Sequence, residues 1–399
     1  MRIRDTCQCV CGPNDAGCEK GVKDVEWNLQ GLSGPFSLRE FVPKDAPEEL
    51  WQAYFTLSEM SLREFHKRDR LPDRGAVRKM LLATSPLYHV RRWIVLDEGR
   101  SAIASASMIY DSEISPDYES SKHLCQVRIL VVPAYRRKKI ATHFVKHTIE
   151  TARLLERDAI MAEADNPLGL AFCKRLRGEL VHEEVQHRLY VEDIDWQLVE
   201  KWLQRGKTKA RDTKIQFFQE CPEDDIGEFC RIYTEIIDQR PTGDMEQGLI
   251  TTPESRRLEE RNLKKRGIDW YTMISREHDG QISGVTDIMY KPEEPHRMNQ
   301  YFTGVLAKYR RRGLAKRLKA EMLVAIKNRF PDVEYITTTT ARTNYPMRSI
   351  NKELGFRPTK TCFTFRWDLR ELRALTPQRK DRKRVIKRVS PGDVELEVL

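Results

Sequence analysis

No run of apolar residues in this 399-residue chain approaches the roughly 18 to 20 that a membrane-crossing helix needs. Nor does the opening Met1-Arg2-Ile3-Arg4-Asp5 provide the apolar core of a signal peptide. Both absences lead to the expectation of a cytoplasmic protein with no membrane partner. Acidic residues are also in short supply, 60 Asp and Glu against 70 Lys and Arg, for a formal net charge of +10. That balance favours anionic partners such as phosphorylated cosubstrates or nucleic acid. Much of the excess is local, because residues 379–388, from Arg379 to Arg388, hold seven basic residues against one Asp. Such a run is a solvated tail on the simpler reading and a nucleic-acid contact on the sharper one. The paired C-x2-C spacing of the usual zinc modules is missing too. Of the nine cysteines, Cys7, Cys9, Cys11 and Cys18 cluster as C-x-C-x-C-x6-C, a spacing open to a thiolate cage or a redox-sensitive leader, and no metal is assigned to it. The other five sit among apolar neighbours, as buried reduced thiols would.

The length is too great for one ordinary core and predicts two domains. Residues 1–34 are rich in glycine and poor in apolar groups, and read as a flexible leader. Strand and helix patterns then divide the chain into a unit over 35–205, a linker over 206–212, a second unit over 213–370 and a basic tail over 371–399. In both units a hairpin precedes a strand, a basic turn and a long helix.

The most informative stretch is Tyr309-Arg310-Arg311-Arg312-Gly313-Leu314-Ala315, between the apolar run ending Thr303-Gly304-Val305-Leu306-Ala307 and a helical stripe of Leu314, Leu318, Met322 and Ile326. A helix N-terminus carries about half a positive charge and several unpaired N–H donors, so such a turn suits phosphate oxygens. Three arginines there oppose the helix dipole unless an anion is present.

Shifting the sequence by 174 positions lays Gln126 on Gln300, Tyr135-Arg136-Arg137 on Tyr309-Arg310-Arg311, and Ala141 on Ala315; a shift of 178 lays Asn166 on Asn344 and Leu176 on Leu354. The ordered matches predict one duplicated α/β unit. The copies differ where chemistry would matter: Lys139 stands for Gly313, Cys173 for Asn351, and Ser107 falls opposite Asp287. The second half is therefore expected to hold the working site, and the first to be structural or to bind acceptor.

With those residues in hand, the chain resembles the GNAT N-acetyltransferase superfamily, in particular tandem-domain members such as mycothiol synthase. Arg310-x-x-Gly313-x-Ala315 resembles the family's acyl-CoA pyrophosphate loop, Arg136-x-x-Lys139-x-Ala141 is a degraded copy, and Asn344-Tyr345-Pro346-Met347-x-x-Ile350-Asn351-x-x-Leu354-Gly355-Phe356 resembles its last motif. The resemblance implies two tandem GNAT-like α/β (α+β) domains, each with a mixed, largely antiparallel sheet flanked by helices. It implies acetyl-CoA or another acyl-CoA as cosubstrate, with Thr303, Gly304, Val305 and Ala307 receiving the pantetheine arm. Arg310, Arg311, Arg312, Gly313, Leu314 and Ala315 would hold the pyrophosphate, and Asn344 and Asn351 would complete the site.

The sequence departs from the family where protons move. Asn351 stands where many members place a Tyr, and an amide is no general acid. Asp287, a polar gap in an apolar strand, is the candidate base. The expected activity is direct transfer of acetyl from acetyl-CoA to an amine of unspecified type. The alternatives are a CoA-binding regulatory or interaction module and a nucleic-acid-associated factor using the basic tail.

Overall fold

The computed structural model describes residues 25–27, 36–65, 69–240 and 249–375. The clustered cysteines and the run 379–388 lie outside the described residues. The first half contains β1 (Val25–Trp27), β2 (Phe36–Glu40), α1 (Glu48–Phe65), α2 (Arg74–Leu82), β3 (Tyr88–Leu96), β4 (Ala102–Asp111), α3 (Tyr118–Ser121), β5 (Leu124–Val131), α4 (Ile140–Leu154), β6 (Ala159–Ala164), α5 (Pro167–Arg175), β7 (Glu179–Tyr190) and α6 (Trp196–Lys209). The second contains β8 (Lys214–Phe218), α7 (Ile226–Asp238), α8 (Pro253–Lys265), β9 (Asp269–Arg276), β10 (Ile282–Tyr290), β11 (Arg297–Val305), α9 (Leu314–Arg329), β12 (Tyr335–Ala341), α10 (Tyr345–Glu353), β13 (Arg357–Asp368) and α11 (Leu369–Leu375).

The 13 strands of the described residues form one sheet in the order β1-β2-β3-β4-β5-β6-β13-β7-β12-β11-β10-β9-β8. The two halves exchange their last strands. β13, from the end of the second half, pairs with β6 of the first, while β7 pairs with β12 of the second. The exchanged strands pair antiparallel with each other at the centre. Only β5–β6 and β11–β12 run parallel, at equivalent places in the two halves.

The strand exchange explains where local patterning fell short. Strand-like patterning in the sequence covers only 184–191 and 363–367, whereas β7 begins at Glu179 and β13 at Arg357. Their extra residues show no clean alternation of apolar and polar groups and owe their strand state to partners far along the chain. The expected linker beginning at 206 is helical up to Lys209, because α6 lies on α9. An added Cβ at Gly206 would stand 2.7 Å from the Arg317 side chain, and Arg317 reaches the carbonyls of Ala210 and Thr213. Within the expected leader, Val25–Trp27 form a strand against Phe36–Leu38. Past 370, where the tail was expected, the chain continues as α11 up to Leu375.

The core follows the periodic positions. On α9, Leu314, Leu318, Met322 and Ile326 are buried, as are Ile140, Phe144, Thr148 and Ala152 on α4. Cys125, Cys173, Cys221 and Cys230 are buried free thiols and Cys362 is half-buried. No described helix is long and apolar enough to cross a membrane.

Candidate functional site

β11 and β12 pair only at their starts, Arg297–Asn299 against Tyr335–Thr337. Beyond that they part, so Gln300 to Val305 bond to β10 on one side and leave their other edge unpaired by β12. A β-bulge next to Asp287 sharpens the divergence, with Tyr301 the unmatched residue on β11. The gap is a cavity of about 170 Å³ lined by residues of both sheet faces, among them Thr303, Lys319, Thr340 and Asn344 on one side and His182 and Glu184 on the other.

Gly304 has a structural reason for being glycine: an added Cβ would meet Ile236 Cγ2 of α7 at 2.1 Å. Ala307 starts a 3-10 turn leading into the loop.

The basic loop closes the end of the split. Gly313 is the N-cap of α9 in the left-handed conformation, φ 80°, with nothing within 4 Å of where a Cβ would stand. The first N–H groups of α9 have no intrahelical partner and no capping side chain, the usual condition of an anion site. The three arginines, expected to act together, have separate roles. Arg310 donates to the carbonyl of Val305 at 3.0 Å and to Gln239, tying the loop to its strand. Arg312 pairs with Glu277 at 2.9 Å. Arg311 lines the adjoining pocket without a carboxylate partner among the described residues. That pocket, about 380 Å³, has Trp202, Arg205 and Lys209 of α6 as its far wall and Lys316 beside the loop. Arg205 and Lys209 were missed because they were assigned around a linker; their lysine- and arginine-rich spacing was the only signal.

Asn344 caps α10 by accepting from the N–H of Met347 at 3.2 Å, as Asn166 caps α5. It also lines the split. Asn351 is 1% exposed; its Nδ2 donates to Thr340 Oγ1 and its Oδ1 has no partner, an orphaned acceptor beside the cavity.

Asp287, the expected base, is fully buried and does not line the split. It accepts from Tyr233 Oη and Thr272 Oγ1, both at 2.7 Å. Burial raises its pKa from the ordinary carboxylate value, with the Arg256 guanidinium acting against that shift. In this setting the carboxylate anchors hydroxyls of α7 and β9 rather than facing an acceptor.

Two groups that sequence reasoning passed over stand at the split. Lys319 of α9 is 1% exposed and donates to Gln300 Oε1 at 2.5 Å. Gln300 bonds Thr286, which bonds Thr303 at 2.7 Å, so a polar chain crosses from α9 to the free edge of β11. Burial pushes the Lys319 amine down to about 7. The repeat did contain a signal, since the position matching Lys319 is Val145. On the opposite face, His182 Nε2 lies 3.7 Å from Glu184 Oε2. Both belong to β7, so the strand exchange brings first-half side chains into the second half's cavity.

The first half keeps the frame without this chemistry. Arg136 donates to the Val131 carbonyl at 2.9 Å, as Arg310 does to Val305, but is held by both carboxylate oxygens of Glu64. Lys139 takes the left-handed cap position at φ 65°. The gap at β5 and β6 has a mainly apolar part of about 90 Å³, lined by Val127, Ile129, Val145 and Cys173, and a polar part of about 220 Å³ where Gln126, Arg128 and Glu163 meet His182 and Glu184.

No family model and no curated protein matches this sequence. Solved structures do match in fold. A tandem GNAT protein from the clavulanic acid biosynthesis pathway, solved without AcCoA, superposes with a TM-score of 0.66 at 17% identity over 84% of this chain and 98% of that one. A GCN5-related N-acetyltransferase from Sphaerobacter thermophilus gives 0.59 at 16% identity, over 84% and 96%. A GCN5-related glucosamine N-acetyltransferase region of a fungal multi-domain GH3 beta-N-acetylglucosaminidase also gives 0.59, at 11% identity, where this chain spans 38% of that protein. The tandem GNAT fold is therefore the fold of this chain. The likeness does not single out mycothiol synthase.

Proposed function

We propose that this chain, with the fold of tandem GNAT acetyltransferase structures, is an acyl-CoA-dependent N-acyltransferase whose second half carries acetyl from acetyl-CoA directly to an amine. The observation that carries the reading is the continuity of three features: a cationic pocket, an uncapped helix start at Gly313, and an unpaired strand edge opening into a cavity through the sheet. In this reading the phosphates lie on the N–H groups of Leu314 and Ala315 beside Arg311. Arg310 and Arg312 hold the loop in shape rather than serving mainly as ligands. The pantetheine arm bonds the free edge from Thr303 to Val305, and Asn351 Oδ1 accepts a hydrogen bond from it or from an intervening water.

The acceptor enters from the other face, where β7 presents His182 and Glu184. The neutral amine attacks the thioester carbonyl, and backbone N–H groups near Gly304 and Val305 stabilise the oxygen as it gains charge. The amine's surplus proton leaves toward the His182–Glu184 pair. The first half contributes that pair and the acceptor wall, and binds no cosubstrate of its own.

Calorimetric titration with acetyl-CoA, followed by thiol release against a panel of amines, tests the reading. Saturable binding and amine-dependent thiol release are expected. Absence of binding by the folded protein sinks the proposal; binding without thiol release for any amine leaves a CoA-binding module instead.

A further inference from the structure

Lys319 is among the largest fully buried side chains of the molecule. Lysine is almost never fully buried unless paired, and an unpaired buried ammonium is costly. Yet no described carboxylate pairs with it. Its neighbours are the Gln300 amide oxygen at 2.5 Å and the Phe356 ring, with Nζ 5.5 Å from the centroid. Across from it on β7 is His187, whose own pKa burial lowers, with Arg348 of α10 and Lys319 itself adding to the effect. From β10, the Thr286 hydroxyl accepts from the same Gln300 amide that Lys319 holds.

The fold does not require a polar group here. In the first half the same helix, strand pair and closing loop are built over Val145. Lys319 is thus an addition confined to the second half, at the helix face where the first half has an apolar gap. It also sits on the loop's side of the sheet, six residues beyond Gly313 and so about 9 Å along the α9 axis. An arm anchored at the loop and following the edge of β11 passes its amine.

The geometry points to Lys319 as the residue that hands a proton to the sulfur leaving the acyl thioester, an assignment that rests on the acyl-transfer reading above. The acceptor nitrogen forms its bond to the carbonyl carbon, the C–S electron pair leaves on sulfur, and a Lys319 N–H proton moves to that sulfur. Free thiol, amide and a neutral Lys319 amine result. The amine nitrogen's own proton goes out on the opposite face, and Lys319 regains a proton from solvent once products leave. Other titratable or charged groups at the cavity are His182, Glu184, Arg240 and Tyr301. His182 and Glu184 share the alternation of Arg188, which pairs with Asp69 on the α1 side, so they face away from α9. Tyr301, although 49% exposed, has its pKa raised by desolvation and is a weaker acid than usual, whereas the Lys319 amine, at about 7, gives up its proton readily to a thiolate.

The experiment uses the full chain, free CoA as probe, and the Lys319→Met variant, which keeps length and apolar packing. Ultraviolet thiolate absorption is followed as CoA is added across the neutral pH range. Bound CoA is expected to stay thiol in wild type and variant alike, because an amine titrating near 7 does not take the proton of an alkyl thiol; a bound thiolate in wild type that K319M lacks would mean that Lys319 keeps its proton against sulfur. With acetyl-CoA and an accepted amine, kcat of K319M falls about a hundredfold or more, the usual weight of a general acid, while CoA affinity stays within about threefold. The wild-type kcat falls as pH rises through about 7, and the variant loses that limb. If wild type shows that Lys319-dependent thiolate, or K319M keeps both kcat and the pH limb, the assignment is overturned while the acyl-transfer reading stands. If CoA does not bind at all, both fall. Should K319M fail to fold, the wild-type pH profile still decides: a kcat that does not fall as pH rises through about 7 overturns the assignment.

Discussion

Gly313 and Lys139 occupy the same backbone position in the two halves, each the left-handed N-cap of its helix, at φ 80° and 65°. The turn geometry therefore does not depend on glycine. What differs is the open space around Gly313 beside the cationic pocket. Replacing Gly313 with Ala adds roughly 1 kcal/mol of left-handed strain and puts a methyl group where phosphate would approach. Acetyl-CoA affinity should fall about tenfold or more, while Lys139→Ala should change it less than about twofold. Equal losses in calorimetry would refute the assignment of the second half.

Asp287→Ala should act on stability first. It leaves the Tyr233 and Thr272 hydroxyls without their acceptor, at a cost of about 1–3 kcal/mol in urea unfolding. Asp287→Asn should retain most of the thiol release. A large fall in kcat for the Asn variant with unchanged stability would instead restore Asp287 as the base.

His182→Ala and Glu184→Gln should lower kcat about tenfold to a hundredfold while leaving acetyl-CoA affinity unchanged, because the pair faces the acceptor side. A matching loss of cosubstrate affinity would contradict that placement.

Lys319 also sets a pH dependence of stability. Its folded pKa, about 7, lies below the ordinary lysine value of 10.5, so between those values the unfolded chain binds more protons. Stability should therefore rise with pH across that window, by about 1.4 kcal/mol per unit from this group alone. The gain is clearest from about pH 7 to 8.5, before the buried thiols, such as Cys125 pushed up to about 12, begin to act in the opposite direction. K319M should be more stable than wild type near neutrality and lack this slope in denaturant titrations at stepped pH; an identical slope would show that another group is responsible.

The strand exchange predicts that a second-half residue stabilises the first half. Trp367 on β13 donates to the Leu176 carbonyl at 2.8 Å, and its ring lies 2.5 Å from where a Gly178 Cβ would stand. Trp367→Ala should cost about 3–5 kcal/mol, and Gly178→Ala about 1–3 kcal/mol through overpacking. Hydrogen exchange should show the loss in β6. Loss confined to β8–β11 would contradict the shared sheet.

The loop was legible in the sequence because its information is local: a strand, a turn and a helix start within a few residues, repeated at Tyr135 to Ala141 with the glycine replaced. The same holds for the order of elements, set by hydrophobic period and by caps such as Asn166 and Asn344. The sequence could not show that β7 and β13 change places, since strand partners are chosen by contacts between segments up to hundreds of residues apart. From that choice followed the entry of His182 and Glu184 into the second half's cavity. Burial was equally out of reach. Asp287 in an apolar strand looked like a poised base and Lys319 drew no reading at all, yet the packing of α7 and α9 on opposite sides of the sheet enclosed both, anchoring the first to hydroxyls and leaving the second without a counter-ion among the described residues beside the split.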